Sequence, residues 1–364
     1  MKKIIISLSL TLFCFISFFS IYNYKETSFA ISSSSEIVME VNSKRVLYEK
    51  DANSRRYMAS TTKILTAIVV IENFDIEKKV VIKKEYVGIE GSSLYLEEGE
   101  ELSIKELLYG LMLRSGNDCA QALAIECCGN VKEFAKLMNA TAKKIGAKNS
   151  NFVNPHGLHD DNHFTTAYDL ALISSYAIKN SIFKEIVSTK KITIPCTTKD
   201  YSRVLINKNK MLTKFNGANG IKTGYTKRAG RCLVTSCNRN GMELVCVVLN
   251  CPQMWEVSAS LLESSYSNYS MVKVVDKNNL LGFANDAEKN KIGLYVTNNV
   301  ILPLTIYEAK NIDLQIKLHK NLPSLVKKDT YIGKVYIFAQ NNLLFEEKIY
   351  NIIDIKSKVY YENK

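Results

Sequence analysis

The chain has 364 residues, 46% of them hydrophobic and 23% charged, with a formal net charge of +12. That length excludes a single minimal domain and that apolar content supports a sizeable core, so two domains are expected. The basic balance leaves open a nucleic acid, an anionic wall polymer or lipid headgroup, or simply a solvated basic surface.

The first thirty residues read as an export signal. Lys2 and Lys3 precede an apolar run from Ile4 to Tyr22, and Ser28-Phe29-Ala30 offers small residues at a cleavage spacing. The run is nearly long enough to span a bilayer, so removal of residues 1–30 and their retention as an anchor both stay open. Thr11-Leu12-Phe13 before Cys14 lacks the small residues of a lipoprotein site, and no lipid anchor is expected. The expected place of action is therefore extracytoplasmic, at the cell wall or the outer face of the membrane, with no nucleic acid as partner. The other eight cysteines lie between Cys119 and Cys251 without a CxxC pair. They suit core packing better than zinc or a redox dithiol, and no obligatory disulfide is expected.

Ile37 to Glu49 predicts a hairpin about Asn42-Ser43-Lys44. From Thr61 to Asn73 apolar residues recur at helical spacing, and further helices are predicted over 104–113 and 118–128, with Arg114-Ser115-Gly116-Asn117 as the break between them. Residues 149–161, rich in Asn, Asp, Gly and His, predict a long surface loop, and 165–178 a helix. Strands are expected over 190–195, 220–226, 231–237 and 242–249, the last two joined at Asn240-Gly241, and then a helix over 255–264. This order predicts an α+β domain over 31–270, an antiparallel sheet with neighbouring first and last strands and helices on both faces. Short alternating segments at 292–297, 312–318, 331–338 and 343–349 predict a separate small all-β domain over 271–364.

Three short motifs matter jointly. Ser60-Thr61-Thr62-Lys63 is a Ser-x-x-Lys, a spacing also met at Ser181, Ser188, Ser270 and Ser324; Ser115-Gly116-Asn117 is a Ser-x-Asn, shared by Ser236-Cys237-Asn238; Lys222-Thr223-Gly224 occurs once. Ser60 and Lys63 stand apart because they open a strongly apolar helix, where a three-residue spacing puts both side chains on one face. A serine hydroxyl needs a base, and a buried lysine with cationic neighbours can be one. The competing reading is a helix cap with Lys63 in solvent.

The three motifs come in the order of the penicillin-binding serine peptidases. Together with Asn154-Pro155-His156-Gly157-Leu158, 162–170 and Gly220–Thr226, they make the chain resemble the low-molecular-weight D-alanyl-D-alanine carboxypeptidase family from about residue 31 onward. The resemblance implies a β-lactamase/transpeptidase-like catalytic domain that hydrolyses peptidoglycan stem peptides ending in D-Ala-D-Ala. It needs no metal or cofactor and takes β-lactams as covalent inhibitors. Residue by residue it implies Ser60 as nucleophile, Lys63 as its base, and Ser115 as proton relay to the leaving amine. Asn117 would bind the substrate backbone, with Lys222 and Thr223 at the terminal carboxylate and Gly224 permitting close approach. The amides of Ser60 and Tyr225 would form the oxyanion hole.

His156, His159 and His163 invite a metal, but two of them fall in segments matching the family. A β-lactamase would want a glutamate in this loop, and residues 149–178 contain none. A non-catalytic penicillin sensor or wall-binding protein fits poorly with three intact motifs and with no signalling domain before the apolar segment. The end of the chain, Ile349–Lys364, has too small an apolar face for firm membrane binding, which leaves peripheral membrane or loose cell-wall association.

Overall fold

A computed structural model describes residues 35–352, except 288, 321 and 323–327. The expected export signal, Cys14 and most of the terminal segment after Ile349 lie outside the described residues. Strands β1 (Ser35–Glu40) and β2 (Val46–Lys50) form the opening hairpin. A 3-10 turn over Ala59–Thr62 then runs into helix α1 (Lys63–Asn73). Nine of the eleven residues of α1, Lys63 through Ile71, are buried, so this helix is a central strut rather than an amphipathic surface helix.

A ribbon of β3 (Lys79–Val81) and β4 (Glu101–Ser103) leads into α2 (Ile104–Tyr109), which opens with a reciprocal cap between Ser103 and Glu106. The chain passes through a widened turn at Gly110–Arg114 into α3 (Asn117–Cys128) and α4 (Val131–Ile145). After the predicted loop come α5 (Ala167–Ala177) and α6 (Ser181–Ser188). A hairpin of β5 (Lys191–Cys196) and β6 (Tyr201–Ile206) stands apart from the main sheet and is followed by one helical turn, α7 (Met211–Lys214).

Strands β7 (Ala218–Thr226), β8 (Gly230–Arg239) and β9 (Met242–Leu249) complete an antiparallel sheet of order β2-β1-β9-β8-β7. Asn240 and Gly241 both have positive φ, the conformation that a two-residue hairpin turn requires. The first and last strands are neighbours, as expected: β1 pairs with β9 along its whole length. Helix α8 (Met254–Asn268) packs on β8 and β9.

The remainder is β-rich. Strand β10 (Ser270–Val275) pairs with β13 (Val300–Leu304), and β11 (Gly282–Asn285), β12 (Lys291–Tyr295), β14 (Ile312–Leu318), β15 (Tyr331–Ala339) and β16 (Asn342–Asn351) form a sheet of order β11-β12-β16-β15-β14. One helical turn, α9 (Ile306–Lys310), interrupts it. Ile292, Leu294, Val335, Ile337 and Ile349 belong to an apolar cluster of their own, distinct from the one around α1. Among the described residues, no helix is long and apolar enough to cross a membrane.

Candidate active site

The turn at Ala59–Thr62 is held by its own side chains. Thr61 Oγ1 donates to the Met58 carbonyl at 2.6 Å, and Thr62 Oγ1 to the Ala59 carbonyl at 2.8 Å. Ala59 sits at φ +47°, unusual for a residue with a Cβ, and this bend delivers Ser60 to the mouth of a cleft of about 460 Å3. The turn continues directly into α1, which places Lys63 beneath Ser60, with Nζ 3.1 Å from Ser60 Oγ.

Lys63 is fully buried, not solvated as the competing reading had it. Its Nζ also lies 2.6 Å from Asn117 Oδ1 and 2.7 Å from the His156 carbonyl oxygen. Burial, and then the neighbouring Lys222 charge, push its ammonium well below the usual lysine range. Lys222, 1% exposed, is pushed down to about 7, first by burial and then by Lys208. Its Nζ reaches the Thr223 carbonyl oxygen at 3.0 Å.

Ser115 adopts a left-handed conformation after the widened turn, and that geometry turns it into the cleft opposite Thr223 and Gly224. Two residues on, Asn117 opens α3. Its amide NH2 must face the Glu90 carbonyl, which can only accept, and its Oδ1 then faces Lys63. Both ends of that side chain are therefore engaged inside the protein. Next to it the Asp118 carboxylate accepts from the backbone N–H groups of Leu94 and Leu96 and from Ser93 Oγ, which ties residues 92–96 to the site and brings Ser92 to the cleft.

On the facing side, β7 passes so close to the serine turn that a Cβ on Gly224 would stand 3.0 Å from Ser60 N and 3.1 Å from the Met58 carbonyl oxygen. Only glycine leaves the strand at that distance without displacing the turn. Tyr225, next in β7, is exposed at the cleft edge. All eight residues singled out by the motifs thus converge. The rival Ser-x-x-Lys at Ser181 does not: it lies on α6, where Lys184 pairs with Glu243.

Sequence reasoning missed several contributors. Lys208, Ser92, Arg231, Met254 and Trp255 line the cleft, yet they arrive from four different segments and carry no short motif. It also missed the backbone role of the loop at 154–158. His156 supplies a carbonyl to Lys63, and the Pro155 carbonyl accepts from Thr66 Oγ1 at 2.7 Å. The loop histidines have internal partners: His156 Nδ1 accepts from Leu158 N, and His163 Nδ1 from Val153 N. Burial holds His163 down to about 4, so its neutral ring donates Nε2–H to Thr62 Oγ1 at 2.7 Å. Asp169 anchors the start of the loop, accepting from Asn149 N and Ser150 Oγ.

An antiparallel sheet flanked by helices, with a serine over a buried lysine whose ammonium is disfavoured, is the arrangement of a serine acyl-transfer enzyme. Residues 23–253 match the D-alanyl-D-alanine carboxypeptidase family, and 269–357 match the C-terminal domain of penicillin-binding protein 5. The chain belongs to this family and is a serine-type D-alanyl-D-alanine carboxypeptidase of the low-molecular-weight penicillin-binding kind. It is 30% identical to the D-alanyl-D-alanine carboxypeptidase DacF of Bacillus subtilis, over 91% of this chain and 88% of that one. Penicillin-binding protein 5 of Haemophilus influenzae superposes with a TM-score of 0.79 at 27% identity, covering 90% of this chain and 98% of that one. The Streptomyces K15 DD-transpeptidase, at 32% identity and a TM-score of 0.62, covers 65% of this chain and 99% of its own. Such enzymes take peptidoglycan ending in D-alanyl-D-alanine and bind β-lactams.

Proposed function

We propose that Ser60 Oγ attacks the carbonyl carbon of the penultimate D-alanine while Lys63 accepts the hydroxyl proton. The observation that carries this is the partner set of Lys63. A neutral amine has two N–H bonds and one lone pair; the Asn117 oxygen and the His156 carbonyl take the two N–H bonds, and the lone pair is left facing Ser60. Asn117 is accordingly a positioning residue for Lys63 as well as the substrate-side group expected from the motif.

The oxyanion develops beside the amides of Ser60 and Tyr225, where Gly224 lets the strand close in. The tetrahedral intermediate collapses as the C–N bond breaks, and Ser115 passes a proton to the leaving amine. Lys222 and Thr223 hold the terminal carboxylate. Water then cleaves the acyl-enzyme, returning Ser60 and the shortened stem. A β-lactam follows the same first step, but its opened ring stays tethered and blocks the leaving side. The absence of any glutamate in 149–178 supports slow release of that adduct.

The apolar N-terminus and the +12 charge support action outside the cytoplasm, with the wall or the membrane face as surroundings. The two separate apolar clusters support a division near residue 270 into a peptidase domain and a β-rich domain.

The test is mass spectrometry of the purified protein after brief exposure to benzylpenicillin, alongside D-alanine release from a pentapeptide. The expected result is an adduct on the peptide containing Ser60, absent in Ser60→Ala, with D-alanine release in the wild type alone. Folded protein without an adduct would refute the assignment of Ser60; an adduct without D-alanine release would favour a penicillin sensor.

A further inference from the structure

Beside the catalytic cleft lies a second cavity of about 530 Å3, lined by Arg55, Arg56, Tyr57, Asn162, Phe164 and Arg228 among others. The motifs do not account for it. Tyr57 is three residues before Ser60, and Arg228 stands in the β7–β8 turn three residues past Tyr225, so both walls are direct continuations of the catalytic segments.

Its charges are unevenly satisfied. Arg56 pairs with Asp51. The one carboxylate in the cavity wall, Asp161, accepts from Tyr57 OH at 3.1 Å and lies 3.4 Å from His159 Nε2. Arg55 lies over the Phe164 ring, its guanidinium carbon 4.6 Å from the centroid, and neither it nor Arg228 has a carboxylate within ion-pair distance among the described residues. Two planar cations are thus left facing a concave space, a geometry suited to a carboxylate or phosphate.

The direction of the substrate decides which anion arrives there. Resting on the reading above, the terminal carboxylate lies at Lys222 and Thr223 and the scissile carbonyl at Tyr225. The acyl side of the stem must then run along β7 toward Thr226 and the turn. Arg228, three residues on in the turn, stands at most about 10 Å from Tyr225, a span that two to three residues of an extended peptide cover. We propose that Arg55 and Arg228 form a subsite for a carboxylate borne by the stem peptide upstream of the scissile bond, making the enzyme selective for acidic stems.

The test measures kcat/KM on two peptides ending in D-alanyl-D-alanine, one with a free carboxylate two residues upstream of the scissile bond and one with that group amidated. Wild type is compared with Arg55→Gln, Arg228→Gln and the double variant. The expected wild-type preference for the acidic peptide is about tenfold. The double variant loses it through a raised KM for the acidic peptide, while turnover of the amidated peptide and acylation by benzylpenicillin are unchanged. A wild-type ratio near one, or a preference that survives the double substitution, overturns the proposal. A wild type that releases D-alanine from neither peptide instead strikes at the Ser60 mechanism. Poly(glycerol phosphate) tests the other source of anions: inhibition of the wild type but not of the double variant, with no peptide preference, assigns the cavity to a wall phosphate and overturns the stem assignment.

Discussion

Lysine is a poor base in water because its ammonium is well solvated, and this site removes that solvation from two lysines at once. On the proposed mechanism Lys63 must be neutral to take a proton and Lys222 charged to hold a carboxylate; burial lowers both, Lys63 well below the usual range and Lys222 to about 7. Loss of the Lys63 proton raises the rate as pH rises; loss of the Lys222 proton, near 7, lowers it as pH rises further. The expected kcat/KM profile for D-alanine release therefore falls above about pH 7. In kcat the same limb lies higher, because a bound carboxylate stabilises the ammonium. Lys222→Arg keeps its charge throughout, so its falling limb should move beyond about pH 9, at a maximum rate lowered roughly tenfold by the poorer fit. A limb that stays near 7 in that variant gives the titration to another group. The eight motif residues were legible because nearest-neighbour spacing in the chain already brings each trio together. Lys208, Ser92 and Trp255 were not, since three distant segments must fold before they share a cleft.

The element that most needs the tertiary fold is the loop at 149–165. Its composition marks it as irregular, but nothing in Asn154–Leu158 announces that a backbone carbonyl there will hold the Lys63 amine. The contact depends on Gly157, which has φ +87° and where a Cβ would stand 2.0 Å from the Ala59 carbonyl oxygen. A clash with backbone cannot be relieved by rotating a side chain, so Gly157→Ala should push the loop from the serine turn and separate His156 O from Lys63. We expect at least a hundredfold loss in benzylpenicillin acylation, with the thermal midpoint lowered by several degrees. Acylation at the wild-type rate would show that the loop does not set the position of Lys63. Regular elements were easier to read where pattern and turn chemistry agree, as in β8 and β9 about Asn240-Gly241. Helix α4 escaped because its buried face, Phe134, Met138, Ala142 and Ile145, is interleaved with lysines and small residues. Strands β10, β11 and β13 are short and partly exposed, and alternation over four to six residues is a weak signal.

At the scale of the whole molecule, every residue that lines the cleft lies before 256, and the apolar cluster of the β-rich part shares none of its members with the peptidase core. The described link between the two parts includes Arg45, which donates to the Pro303 carbonyl and pairs with Glu308 at the start of α9. A single arginine contact of that kind is not expected to couple the two apolar clusters into one cooperative unit. The Streptomyces DD-transpeptidase is covered over 99% of its length by 65% of this chain, about the share that precedes the β-rich part. A chain ended after Tyr269 should therefore retain benzylpenicillin acylation within about threefold of the full protein. The full protein should melt in two calorimetric transitions, and Arg45→Ala should widen their separation without changing the acylation rate. A single transition, or a truncated chain that folds but no longer acylates, would mean that the β-rich part holds the catalytic cleft in shape rather than only placing it.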